Sequence, residues 1–215
     1  MVQRLAALWT ALVVAAAFPG IASAQQPIKI VALGDSLTAG YQLPESAAFP
    51  SQLARALQAK GHKVEIVNAG VSGDTTSGGL ARLDWSVPDG TDAVIVELGA
   101  NDMLRAVDPK VARAALDQIV SRLKKREIQV LLCGMQAAKN LGQDYERAFN
   151  AIYPELAAAH GVLLYPFFLD GIAADPKLNQ RDGLHPTAAG VEAIVTRIMP
   201  KVEELLARVR TKRGA

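Results

Sequence analysis

The chain has 215 residues, half of them hydrophobic and a fifth charged, with a formal net charge of +2. This is enough apolar material for one domain with a sizeable core, which excludes a disordered chain. Basic residues are scattered, apart from Lys124, Lys125, Arg126 and a run over 208–213, and so near-balanced a charge argues against nucleic acid as a partner.

Residues 1–24 have the layout of a signal peptide. Arg4 supplies the positive start, Leu5 to Phe18 form an uncharged apolar run, and Pro19 and Gly20 break it before the A-x-A site Ala22-Ser23-Ala24. A membrane anchor is the rival reading. The run is short for the roughly 20 residues a bilayer span needs, and no later segment is long and apolar enough to serve. Cleavage near Ala24 leaves a mature domain over 25–215, periplasmic or secreted.

Beyond it, strands alternate with helices. Ile28 to Leu33 is an apolar run ending in Gly34, the pattern of a buried strand. Phe49 to Lys60 carries Leu53, Ala56 and Leu57 at helical spacing before Gly61. Val64 to Val67 and Ala93 to Leu98 are the next strands. Asp108 and Pro109 read as a cap and first helical position. Val111, Ala115, Leu116, Ile119, Val120 and Leu123 then draw one apolar stripe. Gln129 to Cys133 is a strand, Asp144 to His160 a helix, Val162 to Tyr165 a fifth strand, and Thr187 to Val209 a closing helix bent at Pro200. Strands separated by helices predict one doubly wound α/β domain, a three-layer α/β/α sandwich around a parallel sheet. Cys133 is the only cysteine, so no internal disulfide forms, and its apolar strand makes it a core residue.

Ligands bind an open parallel sheet at the carboxyl ends of its strands. Four polar, glycine-bearing segments fall on that edge: Gly34-Asp35-Ser36-Leu37, Asn68 to Asp74, Gly99-Ala100-Asn101-Asp102 and Asp182-Gly183-Leu184-His185-Pro186. Together they supply a hydroxyl, an amide, an imidazole and a carboxylate, the inventory of acyl transfer.

These blocks, GDSLTAGY from Gly34, NAGVSGDTTSGG from Asn68, ELGAND from Glu97 and DGLHP from Asp182, resemble the SGNH or GDSL hydrolase family. The resemblance spans nearly the whole mature chain. It implies the flavodoxin-like SGNH fold, Ser36 as nucleophile, Asp182 and His185 as its triad partners, and the Gly73 N–H and Asn101 amide as oxyanion donors. It implies no cofactor.

The residues support those roles independently. A serine hydroxyl needs a base to become a nucleophile. Of three histidines, His62 lies in a turn and His160 at a helix end, where structural roles suffice. Only His185 lies on the site edge with a carboxylate nearby, and a turn through Gly183 can bring Asp182 to Nδ1. Gly73 lacks a Cβ, which lets its N–H approach a substrate oxygen. Asp35 and Asp102 read as loop-bracing hydrogen bonders. No G-x-S-x-G elbow, phosphate loop, dinucleotide fingerprint or metal-ligand cluster is present.

The chain looks most like the periplasmic thioesterase, arylesterase and lysophospholipase branch of the family. Leu37, Leu43, Met103, Leu104, Phe167, Phe168 and Leu169 are candidates for an acyl groove, with the core an equal alternative for Phe167 and Leu169. The expected partner is a small-molecule or lipid ester. The alternatives are a carbohydrate or cell-wall acetylesterase on the same fold, and a non-catalytic acyl-ligand binding protein. The sequence does not indicate an oligomeric state.

Overall fold

The computed structural model describes residues 26–214, and the expected signal over 1–24 lies outside them. The elements in chain order are β1 (Ile28–Gly34), α1 (Ser36–Ala39), α2 (Phe49–Ala59), β2 (Val64–Gly70), α3 (Thr76–Ala81), α4 (Leu83–Ser86), β3 (Ala93–Glu97), α5 (Ala100–Leu104), α6 (Pro109–Lys125), β4 (Gln129–Cys133), α7 (Gln143–Asn150), α8 (Ile152–His160), β5 (Leu163–Tyr165) and α9 (Ala188–Arg213). The five strands form one parallel sheet in the order β2-β1-β3-β4-β5. Helices α2 and α9 pack together on one face, and α3, α6 and α8 cover the other.

The central strands carry the core. Every residue of β3 is buried, as is all of β1 except Lys29, which explains their unbroken apolar runs. Edge strand β2 is covered unevenly, and Val67 is half-exposed. In α6 the buried stripe is Ala112, Ala115, Leu116, Ile119, Val120 and Leu123, the spacing of one helix face. Val111 does not belong to it. That side chain lies in the first turn, beside the capping Asp108, and faces outward. Cys133 is buried in β4.

Two of the longer helical readings differ from the structure in their bounds. The helix expected over 144–160 is two helices, because Pro154 has no N–H to donate to the Asn150 carbonyl, and the chain breaks at Ala151. The closing helix starts at Ala188, capped by Thr187, and runs on to Arg213 with Pro200 inside it. No helix among the described residues is long and apolar enough to cross a membrane.

Candidate active site

The carboxyl ends of β1 and β3 lie side by side at the point where strand order reverses, the place where open α/β sheets bind ligands. After β1 the chain turns sharply at Asp35, whose Oδ1 accepts the Leu37 N–H at 3.0 Å and caps α1. Ser36 is thereby the first residue of α1, half-buried at the sheet edge. Gly34 makes the turn feasible: a Cβ there would sit 2.1 Å from Thr38 Oγ1 and 2.7 Å from Glu97 Oε2. Thr38 Oγ1 donates to Glu97 Oε2 at 2.7 Å, which fastens this turn to the end of β3.

The turn 182–185 approaches from the far end of the chain. Asp182 Oδ1 accepts the N–H groups of Leu184 at 2.9 Å and His185 at 3.0 Å. Its Oδ2 lies 2.7 Å from His185 Nδ1, and His185 Nε2 lies 2.9 Å from Ser36 Oγ. The backbone N–H groups of His185 and Leu184, followed by the imidazole, hold the Asp182 carboxyl down at about 2. A carboxylate on Nδ1–H leaves the Nε2 lone pair facing the serine hydroxyl.

Asn101, the second residue of α5, donates from Nδ2 to Asp35 Oδ2 at 3.1 Å and to the Asp74 carbonyl at 2.9 Å. The second bond brings Gly73 and Asp74 beside the amide. Gly73 has φ +84°, and a Cβ on it would meet only Arg105 Nη2, at 3.6 Å. The left-handed backbone calls for glycine here, and no protein atom crowds the position. Its N–H donates to no protein acceptor among the described residues. Asp102 is buried and accepts both the N–H and the hydroxyl of Thr76, at 2.8 and 2.7 Å, as expected of a brace.

Sequence reasoning missed two supports. Glu97 is buried behind Ser36, with Oε1 lacking a partner. Burial, then the neighbouring Asp35, pushes its carboxyl well above the ordinary range. Burial likewise raises Asp35 to about 6, against the opposing pull of the Leu37 N–H and the Asn101 amide. An acid ending an otherwise apolar strand was the available signal for Glu97. Arg82 ties three segments together: Nε meets Asp74 Oδ2 at 2.5 Å, Nη1 the Ala69 carbonyl and Nη2 the Gly34 carbonyl, both at 2.8 Å. Nothing local in the sequence marks it.

The apolar candidates divide. Leu37 and Phe168 are buried in the core, Phe168 edge-on to Phe49 at 5.1 Å, so neither is free to line an open groove. Met103 and Leu169 are partly buried against the core, Phe167 is half-buried, and Leu104 is 53% exposed. Tyr41, Val71 and Leu184, not singled out from sequence, are also large exposed apolar side chains on loops that carry site residues.

A model of the GDSL-like lipase/acylhydrolase family matches residues 32–193. An arylesterase of Vibrio mimicus is 42% identical over 166 residues, which cover 77% of this chain and 83% of that protein. Thioesterase 1/protease 1/lysophospholipase L1 of Escherichia coli is 41% identical over 158 residues, covering 73% of this chain and 74% of that one. Among solved structures, the SGNH-hydrolase family esterase AlinE4 is 45% identical with a TM-score of 0.71, across 84% of this chain and 97% of that one.

Proposed function

This chain belongs to the GDSL-like lipase/acylhydrolase family and is an ester-hydrolysing enzyme, and on that premise we propose that it cleaves acyl, aryl or thio esters through an acyl-enzyme on Ser36. The observation that carries the reading is the unbroken path from Asp182 through His185 to Ser36, with contacts of 2.7 and 2.9 Å. In the first step Ser36 Oγ attacks the substrate carbonyl carbon while its proton passes to His185 Nε2. The Gly73 N–H and the Asn101 amide receive the negative charge on the carbonyl oxygen. Collapse expels the alcohol or thiol, which takes the proton from His185. A water molecule, deprotonated by the same imidazole, then attacks the acyl carbon, and the imidazole returns that proton to Ser36 Oγ as its bond to the acyl group breaks and the acid is released. Asp182 keeps the imidazole oriented and offsets its charge.

Exposed Tyr41, Val71, Leu104 and Leu184 support an apolar substrate flank. Export follows from the signal read over 1–24, and N-terminal sequencing of the exported protein checks it by whether the chain starts near Gln25.

The test is hydrolysis of p-nitrophenyl esters from acetate to palmitate, with Ser36→Ala as control. Turnover should be lost in Ser36→Ala and should persist beyond acetate in the parent. Activity confined to acetate transfers the reading to a sugar acetylesterase, and full turnover in Ser36→Ala removes Ser36 from the mechanism.

A further inference from the structure

The two halves of the Ser36–His185 contact lie on segments 149 residues apart in sequence, and something must hold them in register. Gln180 lies where they meet. Its backbone N–H donates to the His185 carbonyl at 2.7 Å, and its carbonyl accepts the Gly183 N–H at 2.9 Å, so its main chain closes the turn that carries Asp182 and His185. Its side-chain Nε2 donates to the Pro186 carbonyl at 3.0 Å and crosses to the Tyr41 carbonyl at 2.8 Å. Both side-chain partners are carbonyl oxygens, so only the NH2 end of the amide can face them. The Tyr41 N–H in turn donates to the Ser36 carbonyl at 3.1 Å. A continuous path of hydrogen bonds therefore runs from the Ser36 backbone through the Tyr41 peptide and Gln180 to the His185 backbone. It also fixes Tyr41, whose ring lies against the imidazole with centroids 4.5 Å apart at 38°.

We infer that Gln180 is a positioning residue, setting the distance and angle between His185 Nε2 and Ser36 Oγ by bridging the two loops. The inference rests on the Ser36–His185 reading proposed above. It assigns Gln180 no contact with substrate, so its loss should misplace the base without weakening ground-state binding. A misplacement of about 1 Å in such a pair can cost on the order of 10²-fold in rate.

The experiment uses the full mature chain with Gln180→Met, which keeps length and volume but removes the donor, and Gln180→Glu, which keeps the shape and replaces the donor by an acceptor. For each, kcat and KM on p-nitrophenyl butyrate, the rate of Ser36 labelling by a fluorophosphonate, and the thermal midpoint are measured beside the parent and Ser36→Ala. The expected result is a kcat lowered about tenfold to a hundredfold, a matching fall in labelling rate, and a nearly unchanged KM in whichever variants fold. An effect on KM alone, or unchanged kcat per folded molecule in either variant, overturns the proposal while Ser36→Ala stays inactive. Full turnover in Ser36→Ala instead defeats the Ser36 reading, and this proposal falls with it.

Discussion

At rest the Asn101 amide has acceptors for both of its N–H bonds, so an oxyanion must take one from the protein. The bond to Asp35, longer at 3.1 Å, is the one to yield or share. That exchange concerns the charge that develops during attack, and Asn101→Ala should lower kcat by about 10² to 10³ while KM moves little. A steady-state comparison in which only KM changes would refute the donor role. Behind it, the Glu97 and Asp35 carboxyls share a buried site in which holding two charges is unfavourable. Because the folded-state value of Glu97 is raised, the folded protein holds a proton that the unfolded chain releases above about pH 4.3. The corresponding stability is present in full at lower pH and is lost as pH rises. Glu97→Gln removes this dependence, so the variant's thermal midpoint should gain on the parent's as pH rises above 5. Parallel curves would show that the carboxyl does not titrate differently on folding. Asp182, held at about 2, has the opposite sign and contributes stability that disappears as pH falls from its ordinary value of 3.8 toward 2.

Among the elements, α9 is the longest helix and begins three residues after His185. Its cap, Thr187, accepts the Gly190 N–H and donates to the Leu178 carbonyl, both at 3.2 Å. Thr187→Ala should cost about 1 kcal/mol, or roughly 2–4 °C in Tm, with kcat per folded molecule retained. Melting curves and active-site titration separate the two effects, and an unchanged Tm would show that the cap contributes nothing. Element types were legible because buried runs such as Val130 to Cys133 and the α6 stripe have no alternative periodicity. Boundaries were less so: β2 runs on to Gly70 because it pairs residue for residue with β1, and that register is a property of two segments together. The short helices α1, α3, α4 and α5 went unread because each is held by tertiary bonds, such as Thr76 to Asp102, rather than by its own length.

For the molecule as a whole, the order β2-β1-β3-β4-β5 accounts for why so much of the site could be located beforehand. Once the sheet is parallel, its carboxyl edge collects Ser36, Gly73 and Asn101, and a loop must bring His185 to them. Gln180 and Arg82 escaped because each also binds a main-chain oxygen far away in sequence, Tyr41 for one and Gly34 for the other, and such bonds leave no pattern along the chain. The apolar flank was half legible for a related reason. Hydrophobicity marks Phe168 and Leu104 alike, and only packing distinguishes the core residue from the exposed one.

The separation of 149 positions between Ser36 and His185 also has a consequence in time. A ribosome adds Ser36 to the chain 149 positions before His185, so through that stretch of synthesis the chain holds a serine without the base proposed for it. A fragment that ends before His185 therefore lacks the proposed means of activating Ser36. On that reading, turnover waits until the segment carrying His185 has arrived and docked beside Ser36.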